Sequence, residues 1–281
     1  MTLDSILSTF VYLVACFILF VIGKYVYGLF HKNIDIQSEL VEKDNFAFAI
    51  SHTGYFIGLL LAIGSAIVGS SEGMVEDLID IFMYGSIAIV LLNISILVND
   101  KLILPHFNVN KEIIEDQNIG TGVIEAANSI AIGLILFGAI SGEGGSIYTG
   151  LAFWAIGQTA LILAAKIYDM ITPYSVHDYI EKDNAAVGIG FAGAIIAIGN
   201  IVSHAISGDF HNWNESFEFL GIDLLIGFAF LPIIRIATDK LLLPGQNLTD
   251  ELINQEKPNH GAALIEAFAY IGGSVLITWC L

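Results

Sequence analysis

The chain has 281 residues, of which 56% are hydrophobic and 14% charged, with a mean hydropathy of +0.76 and a net charge of −18. Soluble domains carry roughly a quarter charged residues, so this composition does not fit a soluble fold, and its acidity leaves no basic face to neutralise phosphates of nucleic acid. The two cysteines, Cys16 and Cys280, both lie in apolar segments, which does not fit a disulfide framework or a thiolate metal site.

Eight apolar segments follow one another, at about residues 5–30, 45–69, 75–103, 119–141, 146–170, 184–207, 216–242 and 260–280. Each is a continuous apolar run rather than an alternating one, which predicts membrane helices rather than barrel strands. The first run has only Asp4 as a charge before it and ends in Lys24 with bulky Tyr and Phe, so it reads as a retained span and not a cleaved leader. Asp44-Asn45 opens the second span, where a side chain can cap orphan amides. The third ends in Asn99-Asp100-Lys101-Leu102-Ile103-Leu104-Pro105, whose proline stops the helix. Asn110 is the expected cap of a short surface helix, and the fourth span carries Glu125 and Asn128.

After the Ser141-Gly142-Glu143-Gly144-Gly145-Ser146 turn the pattern repeats. Asp183-Asn184 matches Asp44-Asn45, Thr238-Asp239-Lys240-Leu241-Leu242-Leu243-Pro244 matches the segment ending in Pro105, Thr249 is the expected cap matching Asn110, and Ile265-Glu266-Ala267 matches Ile124-Glu125-Ala126. The expected fold is therefore an all-α membrane protein of eight transmembrane helices, built as two parallel four-helix repeats over residues 1–142 and 143–281. All ten Lys and Arg residues lie in or near the first, third, fifth and seventh connections. By the positive-inside rule these face the cytoplasm and both termini face outward. The opposite side carries only acids, among them Asp4, Glu72, Asp77, Glu143 and Asp209.

A module with four spans, an Asp44-Asn45-type start to the second, an Asp100-Lys101-type end to the third and a Glu125-to-Asn128 stretch in the fourth resembles the YjfL-type family of bacterial inner-membrane proteins, known as domain of unknown function 350 and UPF0719-like. The resemblance covers nearly the whole chain, once per copy, and so implies a fused tandem of a four-span protein. The second copy departs from it at Ala269, the counterpart of Asn128. The resemblance implies a bacterial inner-membrane location and no activity, substrate or catalytic residue.

Charged groups inside a bilayer usually face a partner, a bundle interior or water. Lys24 and Lys166 fall at a similar depth to Glu125 and Glu266, so each lysine is expected to pair with the glutamate of its own copy or of the opposite one, with snorkelling of both groups as the alternative. Asp44, Asn45, Asp100, Asn128, Asp183, Asn184 and Asp239 complete a candidate buried polar cluster at the basic end. Asn93 and Asp223, which are not duplicated, are candidates to line a pathway. No zinc, Walker, nucleophile-elbow or haem motif occurs, and the Gly188–Gly193 run that fits GxGxxG sits in mid-span, so neither enzyme activity nor a cofactor nor a metal is expected. Two functions remain: a cation (or proton) channel or transporter, and a non-catalytic scaffold or accessory subunit that recruits a cytoplasmic protein partner. Expected partners are the lipid bilayer, cations, such a protein, or a second copy of the chain.

Overall fold

The computed structural model describes residues 3–243 and 245–281, with side chains from residue 6 onward. Pro244, expected to stop the seventh span, and the side chain of Asp4 lie outside the described residues. Eight helices are long and apolar enough to span a bilayer. They are α1 (Leu3–Phe30), α2 (Phe46–Gly64), α3 (Met74–Leu102), α4 (Ile119–Ile140), α5 (Ile147–Ile171), α6 (Ala185–Ile206), α7 (Trp213–Ala237, continued by a π-helical turn Thr238–Leu242) and α8 (His260–Cys280). The second span stops at Gly64, five residues short of the predicted end, because 65–73 forms turns at the acidic end. Short helical segments (Ser38–Glu42, Val109–Ile114, Val176–Glu181 and Asp250–Asn254) precede the four even-numbered spans.

The even-numbered spans form one row, α2–α4–α6–α8, and the odd-numbered spans flank it. Small residues allow the row. A Cβ on Gly188 of α6 would fall 2.6 Å from the Cα of Gly120 on α4, and one on Gly199 would fall 2.7 Å from Ala131. Backbones that approach so closely gain van der Waals contact where lipid supplies no hydrophobic drive between helices. The row ends in bulky side chains. Phe46 and Leu60 on α2 stand where α6 has Ala185 and Gly199; Phe268 and Trp279 on α8 stand where α4 has Ala127 and Gly138. All four are exposed, as suits helices that meet lipid instead of another helix.

An asparagine caps each even-numbered span. The Oδ1 atoms of Asn45, Asn118, Asn184 and Asn259 accept from the backbone amides of Phe48, Thr121, Val187 and Ala262 at 3.0–3.1 Å. The first three also reach sideways along the row. Asn45 Nδ2 donates to the carbonyl of Ile113 (2.9 Å), Asn118 Nδ2 to that of Ile180 (2.6 Å) and Asn184 Nδ2 to that of Leu252 (2.9 Å). Asn45, Asn118 and Asn184 thus each latch their hairpin to the short segment of the next one. Asn259, at the end of the row, donates to Glu251 of its own hairpin at 2.8 Å. Each four-helix repeat is therefore itself two similar hairpins.

Candidate functional site

Two buried glutamates mark the two copies near the basic end. Glu125 on α4 is 5% exposed and Glu266 on α8 is fully buried. Their surroundings differ. The Nη1 of Arg235 donates to Glu266 Oε1 at 2.7 Å, and Tyr168 Oη donates to the same oxygen at 3.3 Å. Arg235 Nη2 donates to Thr249 Oγ1 at 3.3 Å, and the guanidinium lies 5.6 Å from the Tyr174 ring centroid. Tyr174 sits on the loop outside the membrane. Its burial, and then the charge of Glu266, push its hydroxyl up to about 12, so it stays protonated. The second copy has matched its buried carboxylate with a buried cation.

In the first copy Ile96 occupies the place of Arg235. Glu125 lies near the half-buried Asp100 of α3, and both line one small cavity. Carboxylates only accept hydrogen bonds, so a bond between these two would require a proton on one of them. Asn128, one turn along α4, donates to Glu125 Oε1 at 3.2 Å. Neither acid belongs to any of the four ion pairs among the described residues. Beside the pair lies a cavity of about 20 Å³, lined among others by Tyr27, His31, Ser51, Tyr55 and Asn110. That is room for a single water molecule.

The other sequence candidates distribute as follows. Asn45 and Asn184 are buried caps and latches. Asp44 and Asp183 are exposed and lie outside the cluster expected for them. They take φ of 49° and 60°, a left-handed turn that aspartate tolerates, and so aim the following asparagine at its helix. Lys24 and Lys166 are exposed too, and neither pairs with Glu125 or Glu266. Their stems are long enough to carry the ammonium out to the membrane surface, which costs less than desolvating it. Asp239 accepts from the amide of Leu248 at 2.6 Å and braces the loop after α7. Asn93 is buried and donates to Tyr55 Oη (3.2 Å), whose own proton goes to the Gly23 carbonyl (2.8 Å). Asp223 lies in α7 and is half-buried, and it does not line the cavity beside the carboxyl pair. Of the expected surface-helix caps, Asn110 gives way to Asn108, which accepts from Lys111 N at 3.1 Å, whereas Thr249 holds the N-cap position of Asp250–Asn254 but its hydroxyl accepts from Arg235 and makes no capping bond.

Sequence reasoning missed Asn118, Asn259 and the Arg235–Glu266 pair. The signal for the asparagines was an acid six residues earlier, Glu39, Glu112 and Asp178, or eight residues earlier, Glu251. For Arg235 it was the cost of an unpaired guanidinium in a membrane.

The acidic end holds a larger cavity of about 510 Å³ between the copies. It is lined by Asp77, Asp80 and Tyr84 of α3, by Glu72 and Glu143 in turns, and by the start of α5. Tyr12 Oη and Ser71 Oγ donate to Asp77 Oδ2 at 2.5 and 2.6 Å.

The profile of the family described as Domain of Unknown Function (DUF350) matches residues 1–140 and, again, residues 144–281. The chain belongs to the DUF350 family. It carries the domain twice in tandem, as eight membrane-spanning helices. The UPF0719 transmembrane protein of Aquifex aeolicus (strain VF5) is 21% identical over 194 residues, which cover 68% of this chain and 70% of that protein. The UPF0719 transmembrane protein YshE of Bacillus subtilis (strain 168) is 25% identical over 126 residues, 45% of this chain and 87% of that one. No solved structure matches the chain. These relatives are transmembrane proteins of a family without an assigned activity, and nothing in their descriptions indicates catalysis.

Proposed function

We propose that this DUF350 tandem is a proton-handling channel or transporter of the bacterial inner membrane, with its titrating site in the first copy. The observation that carries the reading is the pairing of buried Glu125 with half-buried Asp100 at a water-sized cavity, with neither acid in an ion pair among the described residues. Two neighbouring acids, one buried and one half-buried, can exchange one proton between ionised and neutral states, and ionisable groups inside a membrane mark such relays by default. The second copy supports the same reading by contrast. Its glutamate is held by Arg235 and serves as structure.

Orientation follows from charge. All basic residues sit at the end that carries the four asparagine caps, which supports placing that end in the cytoplasm and both termini outside. The acids lining the opposite cavity then concentrate cations at the outer mouth.

The test is proton flux into liposomes holding purified protein and an internal pH dye, under an imposed gradient with charge compensation. The expected result is flux above empty vesicles that Glu125→Gln abolishes. Flux equal to that of empty vesicles contradicts the proposal.

A further inference from the structure

The cavity at the acidic end does not stop at the membrane surface. Its wall on α3 runs from Asp77 to Leu91. Those fourteen steps rise roughly 21 Å at 1.5 Å per residue, about half the helix. Asp77, Asp80 and Tyr84 share the helix face that continues one and two turns below Leu91 as Ser95 and Asn99. Across from that face stands α5, from the other copy. Trp154 Nε1 donates to Ser95 Oγ at 2.8 Å, and Gln158 Nε2 donates to Asn99 Oδ1.

Beneath the cavity, then, the two copies meet through polar side chains and not through the small apolar residues of the central row. These side chains are incompletely used. Asn99 Nδ2 and Gln158 Oε1 are buried without a protein partner, and so is Oδ1 of Asn128 on α4, a helix packed against both α3 and α5. Asn99, Gln158 and Asn128 are all less than a tenth exposed. Buried amide atoms left unpaired by protein are the kind of group that ordered water satisfies. Asn128 in turn donates to Glu125. The second copy lacks the whole series, with Ile234, Thr238 and Ala269 in place of Ser95, Asn99 and Asn128.

We propose that the α3–α5 seam is a water-filled half-channel from the acidic end, through which protons, and not larger cations, reach the Asp100–Glu125 pair. The inference rests on the proton reading above and adds the route and the selectivity. Below Leu91 the lining is neutral and holds no carboxylate to replace a metal ion's hydration shell, whereas a proton needs only a chain of hydrogen-bonded water. The step is transfer of H⁺ alone: an O–H bond of the donating hydronium breaks as the O–H of a carboxylic acid forms on the pair, with each water between passing one proton on as it receives one, and no oxidant or co-reactant is needed.

Cysteine accessibility tests the route. Cys16 and Cys280 are changed to Ser, and Ser95→Cys or its counterpart Ile234→Cys is introduced. A membrane-impermeant cationic methanethiosulfonate is applied to sealed cells or inverted vesicles, with exposed Ser70→Cys reporting which preparation presents the acidic end. A thiol reacts as thiolate, which requires water, so S95C should react roughly tenfold or more faster than I234C, and only in the preparation that labels S70C. Equal rates, or labelling of S95C from the opposite side only, overturn the half-channel. A second arm needs no cysteine. Gln158→Leu should cut proton flux at least as much as Asn128→Ala while the protein elutes as wild type, and unchanged flux in Q158L overturns the route. The two readings fail separately. Fast labelling of S95C in a protein without flux removes the proton reading and leaves the water path, whereas flux with S95C unreactive removes the path and leaves the proton reading.

Discussion

Glu125 and Glu266 stand at corresponding places in two copies of one module, yet one faces an aspartate and the other an arginine. The difference traces to one position, Ile96 against Arg235. With the guanidinium present, the glutamate is neutralised, hydrogen-bonded by Tyr168 and fixed. Without it, the same buried carboxyl lies near Asp100 and beside a cavity. On the function proposed above, duplication lets one copy hold the bundle together while the other keeps a group free to titrate.

The strongest way to break the comparison is to remove the cation. Arg235→Leu leaves Glu266 buried and unpaired, and truncating one partner of a buried pair costs roughly 3–5 kcal/mol. The expected result is a protein that unfolds in detergent well below the wild type. The double change R235L/E266L should recover most of that loss, because a hydrophobic pair of similar volume replaces the ion pair at little cost. Failure of the double variant to recover would mean that Glu266 has a role apart from Arg235.

The reverse exchange sharpens the comparison. Ile96→Arg supplies Glu125 with the counter-ion that its copy lacks, and should keep the fold while suppressing proton flux. A variant that folds and conducts as before would show that the absence of a cation in the first copy has no functional meaning.

A smaller effect comes from the latches. Asn118→Ala removes a cap, worth about 1 kcal/mol, and also the amide bonds to Glu112 and to the Ile180 carbonyl, each worth about 1 kcal/mol. Asn259→Ala loses its cap and a bond within its own hairpin. Thermal unfolding should therefore be lowered more by N118A than by N259A, and equal shifts would show that the bond to the next hairpin contributes nothing.

The smallest effect is a pH slope. His31, just past the end of α1, is buried, and burial lowers its pKa below the usual 6.5 against the opposing hydrogen bond to the Tyr27 carbonyl. The folded state prefers the neutral ring, so its contribution is complete above pH 6.5 and is lost as the pH falls from there through the lower folded value. His31→Phe should flatten the acid side of the stability curve in that window. An unchanged slope would remove His31 from the account.

Much of the fold could be read from the chain, since apolar runs of about twenty residues have one stable form in lipid. The repeat was readable because Asp100-Lys101 and Asp239-Lys240 return at one spacing. The inner repeat of hairpins was not, because its marks are four asparagines at uneven spacing among different neighbours. The lysine–glutamate pairing expected for Lys24 and Lys166 illustrates the limit. Depth along a helix can be counted from sequence, but the direction in which a side chain points cannot, and both lysines point outward. Arg235 was visible as a charge in a span, while its partner thirty-one residues away emerges only when α7 packs on α8.

The central claim, one titrating copy and one locked copy, is tested most directly by measuring proton flux for E125Q and for R235L/E266L side by side in the same vesicles. The account predicts that E125Q loses flux and that R235L/E266L, with its whole ion pair replaced, retains it. Flux retained in E125Q, or lost equally in both proteins, would contradict it.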